Sequence, residues 1–445
     1  MQAINSLLST ALICLALTVV GADEPLPVED TKRLDTIHYG IETQVIELLA
    51  TLRTEKNVEY KAEILKAFDV STSPKLKAAI LDFFGAMDIP DAENRSADLI
   101  TKRDSQSDTL VAAAFTYLIT IKSKAALAEA VTILDEDEKR YVQAAIKAIG
   151  AAGSDAEAEA LRKAYEADGV EPAVKEAIVL ALGTMKSGSS YELLASIASN
   201  EETGKTLRMY SCSALGALGD ERAIPVLTEA SVASDPNVRA YAIAALGNFS
   251  TKDARAAVRE GLRDGHVLPR IAAAKAAGMA RDVDSIPFLE YKVSYDPEQA
   301  VRVSSITALS EIGGAQVDDF LVSFLLETKN STQYRSAALG AIVAKGSEEA
   351  RAKAFKAFAL AQGEKDRAVF TSFARATTAI DDKNVTPFAE LMLGDKDFSM
   401  RLGALAWAER NKAKELESVI KVLSETDSND AVKKRAAQAL GRLSS

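Results

Sequence analysis

Arg255, Arg259 and Arg263 recur at every fourth residue, a spacing that places three guanidinium groups on one face of a helix. Together they form a single positive stripe. Neighbouring helices would bring Glu290 and Tyr291 to one side of this stripe and Glu229 to the other. The plainer reading of the stripe is a solvated face answered by Glu260 and Asp264. The stripe is the candidate protein-binding set. Nothing else in the chain comes as close to a functional constellation. His38 and His266 have no second histidine or cysteine at ligand spacing, which argues against a zinc site. No glycine-rich loop ends in Lys-Ser or Lys-Thr, Gly183–Gly188 lacks the lysine of a phosphate loop, and no Gly-x-Ser-x-Gly occurs. The pairs Asp318-Asp319 and Asp381-Asp382 are adjacent in sequence, so on a helix their carboxylates diverge. No catalytic residue, cofactor or metal is expected.

The charge balance narrows the partners. The 445 residues carry a formal net charge of −11. All of that excess lies in residues 23–174, which hold 29 acidic and 18 basic side chains, whereas residues 175–445 hold 35 of each. Neither part is basic, so a nucleic-acid track is not expected. The run Asp135–Glu138 reads as a solvated loop. Hydrophobic residues make up 48% of the chain but aromatics only 6%, the composition of narrow, alanine-lined helix interfaces. Cys212 falls on such an apolar stripe and reads as a small buried residue.

The elements that must position these residues repeat. A column of positions, Gln44, Lys77, Thr109, Val142, Lys175, Arg208, Arg239, Arg270, Arg302, Arg335, Arg367, Arg401 and Lys433, recurs about every 32 residues. Apolar residues stand one before each column position and three, four, six and seven after it, as in Val238, Ala242, Ile243, Ala245 and Leu246. That is one apolar stripe on a helix. Gly219-Asp220 breaks one such helix, and Pro225 and Pro287 open second helices 17 residues after their column positions. Second helices are expected near Pro225–Val232, Ile286–Val293, Val317–Glu327 and Ala413–Leu423. No stretch alternates with period two, so no sheet is expected. A fixed period of this length marks stacked supersecondary units.

The pattern Asp235-Pro236-x-Val238-Arg239-x-x-Ala242-x-x-Ala245-Leu246-Gly247 resembles the short HEAT repeat, the variety also found in phycobilisome-lyase-type proteins. The resemblance is strongest from Lys175 to Leu309 and weakest before Ser73. It departs at the Arg335 unit, where Val343 takes the glycine column and Gly340 lies mid-helix. It implies an all-α, right-handed α-α superhelix (an armadillo-like solenoid) of about 13 helix pairs, the last incomplete, with second helices on the concave side. It also implies that Lys175, Arg208, Arg239, Arg270, Arg302, Arg335, Arg367 and Arg401 form a structural ladder paired with acidic residues of adjacent loops. Proteins with this repeat are mainly scaffolds.

Residues 1–22 contain no charged side chain, Leu7–Val20 is almost wholly apolar, and Val20-Gly21-Ala22 supplies small residues for cleavage. This reads as a signal peptide, although Met1–Ser6 lacks the usual lysine or arginine. Ile13 before Cys14 is too large for a lipoprotein cleavage box, so no lipid anchor is expected. The chain then divides into a signal peptide (1–22), a polar lead-in (23–39) and a HEAT-repeat solenoid (40–445), with no transmembrane segment after cleavage. The expected function is a non-catalytic scaffold or adaptor of the bacterial periplasm that binds a protein partner. The alternatives are a structural part of a larger cell-envelope assembly and an enzyme of the bilin-lyase type.

Overall fold

A computed structural model of the chain describes residues 28–136, 139–363 and 367–443. The signal-peptide reading, Cys14, and part of the Asp135–Glu138 run lie outside the described residues. Among the described residues every regular element is helical. The chain forms two compact units that meet in sequence at Ile121 and Lys122.

In the first unit the helices Glu42–Glu55, Pro74–Ala86 and Asp108–Thr120 carry the repeating stripe, and Lys61–Val70 and Glu93–Thr101 alternate with them. Leu52, Ile64, Ile80, Phe84, Val111 and Leu118 are buried between them. The described part of the lead-in is helical. Val28–Tyr39 is a helix packed against both Glu42–Glu55 and Lys61–Val70. Its apolar side is thin, with Ile37 buried, so it is held largely by polar contacts. Arg33 bonds Glu55 at 2.8 and 2.9 Å, and the Tyr60 hydroxyl donates to Asp30. That polarity hides the helix from a periodicity reading.

In the second unit the first helices of successive repeats lie side by side. They include Val142–Ala152, Pro172–Met185, Lys205–Leu218, Pro236–Leu246, Val267–Met279 and Gln299–Ile312. One contact repeats along this row. A Cβ added at Gly183, Gly216 or Gly247 would stand 2.7 Å from the Cβ of Ala214, Ala245 or Ala276 of the next repeat, and Gly150 meets Ala181 in the same way at 2.9 Å. A Cβ added at Gly278 would stand 2.8 Å from the Ala308 Cα. Only glycine against alanine lets the backbones approach so closely. Downstream Ser310 occupies the column and its hydroxyl donates to the Ala341 carbonyl at 3.3 Å.

Helix starts follow capping chemistry. The Asp235 carboxylate accepts from the Asn237 and Val238 amides, and Pro236 occupies the first turn, where its missing N–H costs nothing. Gly219 closes Lys205–Leu218 at φ +71°, a left-handed conformation that a side chain would strain. Second helices sit within two residues of expectation at Ala223–Ala230, Ile286–Tyr295 and Ala315–Leu326. The one expected at Ala413–Leu423 starts as a tight 3-10 turn, Lys414–Leu416, and continues over Glu417–Thr426.

Candidate protein-binding surface

The arginine column points inward to loops. Arg239 grips Asp264 through Nε at 2.7 Å and Nη2 at 2.9 Å, and its Nη1 donates to the Ala233 and Ser234 carbonyls at 2.9 Å. Arg270 holds Asp296 with two bonds of 2.9 Å and donates to the Asp264 carbonyl. Arg367 bonds Asp395 at 2.6 Å, and Arg401 holds Asp427 at 2.7 and 2.8 Å. Arg239, Arg270 and Arg401 each tie the loop before their repeat to the loop after it, and Arg367 ties the Gln362 carbonyl near the end of the preceding helix to Asp395. Each aspartate also accepts from the backbone N–H two residues on, at His266, Glu298, Asp397 or Asn429. Burial pushes these carboxyls up, but the arginine forks and backbone donors outweigh it and hold all four below the usual carboxylate range.

The other ladder residues find different partners. Nε of Arg208, Arg302 and Arg335 donates to the Ala198, Val293 and Leu325 carbonyls. Arg302 also lies 3.9 Å over the Tyr334 ring, and Lys175 stands 4.9 Å from the Tyr165 ring. Sequence spacing locates the cations; it does not name Asp264, Asp296, Asp395 and Asp427, which lie 25–28 positions away across loops of unequal length.

The three-arginine stripe is split. Arg255 and Arg259 lie on the second helix Lys252–Gly261, and Arg263 sits in the turn beyond its end. Arg259 Nη1 reaches Asp282 Oδ2 at 2.7 Å, and Arg255 Nη1 stands 3.9 Å from Asp282 Oδ1. The Asp282 side chain is only 2% exposed and also accepts from the Ser285 hydroxyl at 2.6 Å. Two of the three cations therefore pin this helix to the turn of the next repeat. Of the two acidic residues expected to answer the stripe, Glu260 pairs with Arg263 at 3.4 Å, whereas Asp264 is held by Arg239.

The Arg263 side chain is 62% exposed, with its guanidinium carbon 5.1 Å from the Phe288 ring centroid. Phe288 belongs to the second helix Ile286–Tyr295. A hollow of about 330 Å³ lies between Arg263, in its turn, and this helix, lined by Arg263, Pro287, Phe288, Tyr291 and Lys292. Tyr291 and Tyr295 are 60% and 70% exposed, with ring centroids 5.1 Å apart. Glu290 is engaged by Gln316 at 3.2 Å, and Glu229 is exposed on its own helix. Aromatic rings beside an arginine are the composition of protein-binding hot spots. A second hollow of about 530 Å³ lies on the row of first helices, bordered by Tyr241, Leu268, Lys275 and Met279.

The remaining chemistry-bearing residues are occupied locally. His38 pairs with Glu63 at 2.8 Å, and His266 caps a helix by accepting from the Leu268 amide. Burial pushes the Cys212 thiol up to about 12, which keeps it protonated and unreactive at neutral pH. Among the described residues no group of three metal-ligating side chains converges, and no helix is long and apolar enough to cross a membrane.

Among solved structures, the chain is similar to the CpcE–CpcF complex of phycocyanin lyase from Nostoc sp. PCC7120, at 19% identity and a TM-score of 0.33, over 64% of this chain and 94% of that one. It is similar to the karyopherin Kap121p bound to the extreme C-terminus of the phosphatase Cdc14p, at 12% identity and a TM-score of 0.43, over 93% and 53%. It is also similar to Kap95p with RanGDP, at 15% identity and a TM-score of 0.48, over 93% and 60%. The chain thus spans little more than half the length of these karyopherins. No curated protein matches it. A family described as Spirochaete HEAT repeat protein matches residues 37–439, nearly the whole solenoid with its arginine and glycine columns, and the chain belongs to that family.

Proposed function

We propose that this HEAT-repeat protein is an exported, non-catalytic scaffold of the bacterial periplasm that holds a protein partner on its second helices. The observation that carries the reading is the hollow at Arg263, Phe288 and Tyr291. There an exposed cation and exposed aromatic rings meet at a place where the repeat requires neither. In interfaces a few residues, tyrosine, tryptophan and arginine above all, carry most of the binding energy. Export rests on the uncharged, apolar residues 1–22 and the small residues Gly21 and Ala22.

Reversing all three arginines is a poor test, because Arg255 and Arg259 face the buried Asp282, and carboxylates there would damage the fold. Arg263→Glu and Tyr291→Ala touch only the exposed rim. Chemical cross-linking followed by pull-down from the native envelope fraction should capture a partner with the wild-type chain. Capture should fall in both variants while the helical circular dichroism stays unchanged. Capture at wild-type yield in both would remove this surface from consideration. Mass spectrometry of the same preparation should find a mature chain beginning at or near Asp23. An intact Met1–Ala22 segment in a cytosolic fraction would overturn the exported reading.

A further inference from the structure

Resting on the scaffold reading above, we infer that the hollow at Arg263 takes a short acidic segment of the partner, with a carboxylate set next to an aromatic or aliphatic side chain. Charge is the first reason. Two cations, Arg263 and Lys292, line the hollow, and no carboxylate does. Outside it Arg263 pairs with Glu260, itself 70% exposed, at 3.4 Å. An exposed pair of that kind is weak and yields readily to a better-placed carboxylate. Lys292 does not cancel the argument. It stands 3.4 Å from Asp296, but Asp296 already accepts two bonds from Arg270, so two cations share one buried anion.

Shape is the second reason. Phe288, Tyr291 and Tyr295 follow at helical spacing along one face of Ile286–Tyr295, so they cover about 10 Å at 1.5 Å per residue. An extended segment rises about 3.3 Å per residue, so about three residues span that shelf. A carboxylate at Arg263 then leaves an apolar side chain two or three residues further on to lie over the Tyr291 and Tyr295 rings. Arg263 is already stacked against Phe288, which holds its fork in place and lowers the ordering cost of binding. A hollow of about 330 Å³ holds a side chain or two, not a folded face.

The probe is the fluorescein-labelled peptide Ser-Glu-Asp-Phe-Leu-Glu-Ser, titrated against the full mature chain by fluorescence anisotropy. Its partner probe has Gln, Asn and Gln at the three acidic positions. The acidic peptide should bind, and the neutral one should bind at least about tenfold more weakly, the scale of one charge-assisted hydrogen bond. Arg263→Gln should weaken the acidic peptide by a similar factor, with Arg263→Lys partly restoring it, and Tyr291→Ala should weaken both peptides. Equal binding of the two peptides, or binding indifferent to Arg263→Gln and Tyr291→Ala, overturns the inference. If neither peptide binds while cross-linked capture of the native partner still depends on Arg263, the acidic-segment inference fails and the scaffold reading stands. If both capture and peptide binding are absent, both fail. Self-association of the chain in sedimentation velocity that disappears in Arg263→Gln would make a second copy the occupant and also overturns it.

Discussion

Arg270 and Asp296 face each other through two hydrogen bonds of 2.9 Å, with their side chains 8% and 1% exposed. Breaking such a pair strands a buried charge, which costs about 3–5 kcal/mol. Asp296→Ala should therefore lower the urea midpoint of the second unit markedly. The double variant Arg270→Met with Asp296→Leu should recover much of the loss, because apolar residues of similar size can replace a buried pair. A double variant no more stable than Asp296→Ala would show that the aspartate acts mainly through its bond to the Glu298 amide.

The same pairs set an acid limit. Asp264, Asp296, Asp395 and Asp427 are held below the ordinary carboxylate range in the folded chain. A group depressed on folding contributes stability that is present above its unfolded pKa, about 3.9, and is lost as pH falls through the lower folded value. Thermal unfolding followed by circular dichroism should be nearly flat from about pH 7 to 5 and drop steeply below about pH 4. Asp427→Asn should be less stable at neutral pH and show a shallower acid slope.

The glycine column gives a paired test. A methyl at Gly216 would lie 2.7 Å from the Ala245 Cβ and 2.8 Å from its Cα, so Gly216→Ala must push two helix backbones apart. Overpacking of this kind costs about 1–3 kcal/mol. Gly441, in the helix Asp430–Leu443, has nothing within 4 Å of an added Cβ. Gly441→Ala should instead stabilise by up to about 1 kcal/mol through helix propensity. Differential scanning calorimetry should move the two melting temperatures in opposite directions. A matched shift would mean that the close approach relaxes freely.

The helix Asp430–Leu443 buries Val432, Ala436, Ala439 and Leu443 against the preceding pair, and Arg435 and Arg442 both reach Glu409. Deleting 430–445 should uncover the buried Leu416 and Ile420 and promote aggregation. Light scattering after size exclusion reads this directly. A monodisperse, equally stable product would show that the helix is dispensable to the core.

What could be read without coordinates was whatever repeats. The stripe Val238, Ala242, Ile243, Ala245 and Leu246 buries as its spacing requires, because helical periodicity is local and needs no knowledge of the neighbour. The arginine column was legible for the same reason, and so was the alanine-rich stripe that makes close packing possible. Three things needed the tertiary structure. The helix Val28–Tyr39 escaped notice because polar contacts such as Arg33 with Glu55 replace the apolar stripe that periodicity detects. The fate of the Arg255, Arg259 and Arg263 stripe was decided by Asp282, 23 residues beyond Arg259, which the stacking of repeats brings against it. That contact turns two arginines into structural pins. The third, Arg263, lies past the helix end over Phe288. Periodicity along one helix can say which residues share a face, but only the packing of the next repeat decides which of those charges remain available to a partner.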